Sequence, residues 1–162
     1  MRQLILLRHA KAAVDSDTGE DFDRPLAARG REDAPVVAQA LVDAGADPQM
    51  VLVSDAKRTR ETWALVSAAF PKAEARFLKS LYLSSSETLA SEAEKAGAER
   101  VMIVAHNPGL HELASRWAHR NNPLETKVRA KFPTCAGAAF ARKDADSWWK
   151  LQDFVTPKTI SD

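Results

Sequence analysis

Three short apolar runs, Leu4-Ile5-Leu6-Leu7, Val51-Leu52-Val53 and Val101-Met102-Ile103-Val104, constrain the fold of this chain more than any other feature. None of them alternates apolar with polar residues, so none fits a strand with one face in water; each reads as a strand buried on both faces. Such strands need helices to cover them, and helical patterns fill the intervals. One helix is predicted over residues 28–44, with Val36, Val37, Ala40 and Leu41 inward and Gly45 as its stop. A second, over residues 57–69, turns Trp63 and Val66 inward, with Pro71 just beyond. A third covers residues 87–96 before Gly97, with Ser84 and Glu87 as its capping box. A fourth begins near Pro108, since proline suits the first helical turn.

Strands that alternate with helices imply an α/β fold with a mostly parallel sheet. Residues 75–78 are a candidate extra strand. Near the C-terminus, residues 136–141 and 148–154 read as two strands around a polar turn, hence a hairpin and an antiparallel edge. No repeat or linker interrupts the chain, and 162 residues suit one domain over 1–162.

Composition removes several function classes. Net charge is +1, so nothing points to nucleic acid, and any phosphate site must be a local concentration of charge. A single cysteine, Cys135, forms no internal disulfide and fits a reducing compartment. The Leu4–Leu7 run, ended by Arg8 and His9, is too short for a signal-peptide core or a membrane span, so a cytoplasmic protein without membrane association is expected.

The chemistry-bearing residues fall where each strand ends. The first runs into Arg8-His9, the second into Ser54-Asp55-Ala56-Lys57-Arg58, the third into His106-Asn107. In an open α/β sheet ligands bind outside the carboxyl ends of the strands. If the strands are parallel neighbours, two arginines and two histidines converge there. That set suits a phosphoryl group: guanidinium forks match phosphate oxygens, and a neutral imidazole can attack phosphorus. Nearby cations favour the neutral imidazole, and Arg58, in the first turn of its helix, adds backbone N–H groups that favour an anion. The acidic loop over residues 12–24, with Asp15, Asp17, Glu20, Asp21 and Asp23, fits either a flap or a solvated loop.

The motifs also carry a family resemblance. Leu6-Leu7-Arg8-His9-Ala10 resembles the Arg-His motif of the histidine phosphatase superfamily, which includes the cofactor-dependent phosphoglycerate mutases. Residues Ser54-Asp55-Ala56-Lys57-Arg58 resemble its second-arginine motif, and Val104-Ala105-His106-Asn107-Pro108-Gly109 its second-histidine motif. The short length, Asp23-Arg24-Pro25-Leu26, Arg29-Gly30 and Thr134 are closer to the SixA-type phosphohistidine phosphatases. Ala10 stands where a glycine is commonest and Asp55 where a proline is common.

The resemblance implies a three-layer α/β/α sandwich. It implies His9 as the nucleophile, with Arg8, Arg58 and His106 holding the phosphoryl oxygens. Asn107 and Arg24 are further candidates for substrate binding. It implies a metal-independent phosphatase without a cofactor, acting on phosphohistidine of a phosphorelay or phosphocarrier protein, and a monomer is compatible with it. The rival readings are a phosphatase or mutase for a small phosphoester and a non-enzymatic binder of phosphoproteins.

Three other motifs carry less. Arg142 comes one residue too late after Cys135 for the loop of a cysteine-dependent phosphatase, which leaves Cys135 as a small core residue. His111-Glu112 begins a zinc-protease pattern that Ser115 leaves without its second ligand. Trp148 and Trp149 read as strand packing.

Overall fold

Strands β1 (Gln3–Arg8), β2 (Met50–Ser54), β3 (Glu74–Leu78), β4 (Arg100–Ala105), β5 (Gly137–Ala141) and β6 (Lys150–Val155) form one sheet in the order β3-β2-β4-β1-β5-β6. The computed structural model describes residues 1–161. The first four strands run parallel, β5 is antiparallel to β1, and β6 is antiparallel to β5. The hairpin edge expected at the C-terminal end is therefore present.

Side chains alternate across the sheet, and both faces are apolar. Leu4, Leu6, Leu52, Val101 and Ile103 pack under α3 (Ser86–Lys95), α4 (Gly109–Trp117) and α5 (Pro123–Ala130). Ile5, Leu7, Val51, Val53, Met102 and Val104 pack under α1 (Ala28–Asp43) and α2 (Lys57–Val66). Every residue of the three apolar runs is fully buried, so truncating one of the leucines to alanine should cost about 2–5 kcal/mol. This is the expected three-layer α/β/α sandwich. A short helix, α6 (Pro157–Ser161), closes the described chain, and no helix among the described residues is long and apolar enough to cross a membrane.

The amino ends of the parallel strands are laced together by side chains. Gln3 donates to the Gly45 carbonyl and accepts from the Asp47 amide. Gln49 accepts from the amides of Glu99 and Arg100, and Arg100 donates to the Asp47 carbonyl.

Five local features differ from expectation. Val36 is 49% exposed, because α1 presents Ala34, Val37, Ala38 and Leu41 to the sheet instead. The cap of α3 is Ser85, whose Oγ accepts from the Thr88 amide at 3.2 Å; Glu87 is one residue too near to close a box and pairs with Arg116. Strand β6 starts at Lys150, so Trp148 lies outside it and is exposed, while Trp149 is buried and stacks on Trp117. Helix α5, capped by Asn122, was not anticipated. The end of α2 tightens into a 3-10 turn over Ser67–Ala69.

Two glycines mark close approaches that a side chain would block. A Cβ on Gly30 would stand 2.2 Å from the Lys11 carbonyl oxygen, and one on Gly109 2.3 Å from that of Ser84. Both hold a helix N-terminal turn against a loop at the carboxyl edge of the sheet.

Candidate active site

Because β1, β2 and β4 are parallel neighbours through β4, their carboxyl ends deliver Arg8-His9, Ser54 and His106 to one edge. Helix α2 starts at Lys57, three residues after β2, and places Arg58 in its first turn at the same edge. A cavity of about 210 Å³ opens there, lined by Arg8, His9, Lys11, Ala12, Arg24, Arg58, Leu83, His106, Asn107 and Thr134. All six residues singled out in the sequence line it. With Lys11 the lining holds four cationic side chains and, among the described residues, no carboxylate, in a chain whose net charge is only +1. Positive charge is thus locally concentrated at this edge, with Asp21 paired to Arg24 and Arg58 behind it.

His9 is buried, and its Nδ1 lies 2.8 Å from the carbonyl oxygen of Ala10. A carbonyl accepts only, so Nδ1 carries the hydrogen and Nε2 keeps its lone pair. Burial holds the imidazole pKa down to about 3, assisted by the charges of Arg58, Arg8 and Arg24 against the opposing bond to Ala10. The ring is therefore neutral near pH 7. His106, its ring 5.4 Å from that of His9, is likewise pushed to about 3, first by burial and then by its charged surroundings. Its Nε2 lies 2.7 Å from Ser54 Oγ, and its Nδ1 is buried without a partner.

The arginines are held from one side and left open on another. Arg8 donates through Nη1 to the Phe132 carbonyl, which also accepts from Asn107 Nδ2. Arg58 donates to the backbone carbonyl and to Oδ2 of Asp21, at 2.8 and 3.0 Å. Yet Arg8 Nε, Arg58 Nε, His106 Nδ1 and Asn107 Oδ1 are buried polar atoms without hydrogen-bond partners. Native interiors rarely leave such groups unpaired, and three of the four belong to donor side chains at one cavity. The three nitrogens, Arg8 Nε, Arg58 Nε and His106 Nδ1, can donate to an oxyanion, whereas Asn107 Oδ1 can only accept.

The acidic loop is clasped at its base by a bridge between Ala12 and Leu26. Further along, Asp21 bonds to Arg58, Arg24 and Tyr82, and the Tyr82 hydroxyl donates to Asp21 Oδ2 at 2.5 Å. The Tyr82 bond, with Arg24 and Arg58, holds the Asp21 carboxyl well below the usual carboxylate range despite partial burial. The Ala10 amide donates to Thr62 Oγ1, which itself donates to the Arg58 carbonyl, joining the His9 loop to α2.

Sequence reasoning missed Lys11, Leu83, Asp21, Tyr82 and Thr62. Lys11 follows His9 by two residues and shares its side, a signal the extended pattern contained. Nothing local announces Asp21 or Tyr82, which reach the site through loop packing. Cys135 is buried in the core with its thiol pushed up to about 12 by burial, so it is no nucleophile near neutral pH. His111 is spent on the carbonyls of Val128 and Arg129.

Residues 4–82 match the family model described as the histidine phosphatase superfamily, branch 1. An uncharacterised chloroplast protein of Arabidopsis thaliana is 33% identical across 96% of this chain and 78% of its own. Among solved structures, SixA of Agrobacterium tumefaciens, described as a candidate phosphohistidine phosphatase, superposes with a TM-score of 0.82 at 30% identity, over 96% of this chain and 98% of its own. A protein histidine phosphatase SixA in complex with tungstate has the same fold, with a TM-score of 0.76 at 22% identity, over 98% of this chain and 99% of its own.

Proposed function

The chain belongs to the histidine phosphatase superfamily, and from that premise we propose that it is a phosphohistidine phosphatase, acting on another protein through a phosphorylated His9. The observation that carries this reading is the His9 imidazole, neutral and with Nε2 as its free nitrogen, at a cavity that four cations line and, among the described residues, no carboxylate.

In the first step the lone pair of His9 Nε2 attacks phosphorus in line. The new P–N bond forms as the bond to the leaving group breaks, and its electron pair departs with the leaving group. Arg8 and Arg58 donate guanidinium N–H groups to the equatorial oxygens and balance the charge. With Nε2 engaged by Ser54 Oγ, the His106 tautomer that carries its hydrogen on Nδ1 offers it to a phosphoryl oxygen while Ser54 donates to Nε2. Asn107 and Arg24 line the substrate's approach. In the second step water attacks the phosphorus, the P–N bond to His9 breaks, and orthophosphate leaves.

The substrate class follows from what is absent at the cavity wall. An alkyl phosphate ester needs an acid to protonate its departing alkoxide. Among the described residues no carboxylate lines the cavity, Asp21 is held ionised by three partners, and Glu87 sits exposed against Arg116 with its carboxyl also held down. Imidazole needs no such help, since it can be protonated before departure near neutral pH. The similarity to SixA of Agrobacterium tumefaciens agrees with this choice.

The test is a set of specificity constants, in one buffer, for a phosphohistidine protein, an aryl phosphate and an alkyl phosphate. The first two should be cleaved and the alkyl ester should lag by about a hundredfold or more. Comparable constants for all three, with a loss in Glu87→Gln confined to the alkyl ester, would move the protein to the small-phosphoester class. Phosphoprotein binding without release of phosphate would make it a binder.

A further inference from the structure

A second and larger concavity, of about 560 Å³, lies beside the catalytic cavity, and Thr134 lines both. The wall between them is thin: the next residue, Cys135, donates its amide to the His9 carbonyl at 2.9 Å. The groove lies at the same edge of the sheet because β6, like β1, ends there before Thr156 and α6.

Its composition is unusual for this near-neutral chain. Leu124, Pro133 and Phe154 contribute apolar surface, while Arg29, Lys127, Lys131 and Lys158 bring four positive charges, and among the described residues no carboxylate lines it. Arg29 is partly offset by Asp33 at 3.6 Å. Among the described residues the ion pairs elsewhere on the surface take up none of the three lysines. The active-site fold needs none of these charges, and they come from four separate stretches of chain: α1, α5, the turn after it, and α6.

We infer that this groove docks an acidic, partly apolar segment of the substrate protein, next to its phosphohistidine. The inference rests on the phosphohistidine reading for its substrate. Charge complementarity names the segment's carboxylates, the apolar floor names one or two aliphatic side chains between them, and the shared wall at Thr134 fixes its place beside the phosphorylated residue. Such a groove acts mainly on encounter and ground-state binding, so it raises specificity without entering the chemistry.

Two synthetic peptides test it, each with one phosphohistidine and identical except for Glu against Gln in the flanks between leucines. The protein should prefer the acidic peptide by about tenfold in kcat/KM, chiefly through KM, and lose the preference in high salt. The variant Lys127→Gln/Lys131→Gln/Lys158→Gln should reduce the preference below about threefold while hydrolysing an aryl phosphate at an unchanged rate, which also certifies its fold. Equal constants for the two peptides in the unaltered protein overturn the groove.

If neither peptide is cleaved while the aryl phosphate is, the phosphohistidine reading fails, and the groove is judged separately by fluorescence anisotropy of the labelled, unphosphorylated acidic peptide. Binding that the triple variant loses then sustains an acidic docking groove. No binding, or tighter binding of a single-stranded oligonucleotide, overturns it.

Discussion

Arg58 and Asp21 are joined twice, through the backbone carbonyl and through the carboxylate of Asp21, so a loop residue far along the chain fixes one face of a catalytic-edge guanidinium. The carboxylate also sets a negative charge against the cations that would receive phosphate. Asp21→Asn keeps an acceptor for Tyr82 and the backbone contact to Arg58, but drops that charge. Inhibition by orthophosphate should tighten by about fivefold, corresponding to about 1 kcal/mol for one partly exposed ion pair. A steady-state inhibition constant that stays the same or weakens would show that Asp21 acts on position alone.

The His9 tautomer is open to direct observation. With histidine labelled by nitrogen-15, His9 should show a protonated Nδ1 and a bare Nε2 down to about pH 5, since burial holds its pKa near 3. Quenching turnover with labelled substrate should leave an acid-labile phosphate on this residue, and His9→Ala should lose both label and activity. Stability carries the same signature. His9 and His106 have folded pKa values depressed below the ordinary 6.5, so the unfolded chain binds more protons as the medium becomes acidic. Their contribution is complete above about pH 6.5 and is lost as pH falls toward 3. Urea unfolding across that window should show the decline, and His9→Gln should lessen it, leaving the share of His106.

Arg8→Ala and Arg58→Ala each remove a charged donor from the transition state. Either change should lower kcat by at least about a hundredfold, roughly 2.7 kcal/mol of barrier. Far-ultraviolet dichroism should be unchanged. A variant whose KM rises alone would place that arginine in ground-state binding.

Thr62 tests the frame behind the chemistry. Its hydroxyl accepts from the Ala10 amide and donates to the Arg58 carbonyl, so Thr62→Val leaves a buried N–H unpaired. The loss should be about 1–3 kcal/mol in urea unfolding, with a fall in kcat, and Thr62→Ser should recover most of both.

Much of this molecule was legible in its sequence because its two dominant signals are local. An unbroken apolar run has one outcome in a three-layer fold, and the residue after it lands at the strand's carboxyl edge; Arg8, His9, Arg58, His106 and Asn107 follow from that rule. What was hidden depends on which turn of a helix meets the sheet or on how a loop folds back. Val36 and Val37 are equal in hydropathy, and only the phase of α1 against the sheet separates them. Ser84 and Ser85 both suit a cap, and only the entry angle of α3 selects Ser85. Asp21 and Tyr82 meet across 61 positions of chain through a loop whose tip has no apolar pattern.

The sheet divides its labour between its two ends. Its carboxyl edge carries the charged cavity, whereas at the other edge Gln3, Gln49 and Arg100 stitch neighbouring strands together with bonds that touch no chemistry. For anyone re-engineering the protein, that separation supplies two independent dials: robustness can be tuned at the stitched edge, and selectivity at the other, with little crosstalk between the two.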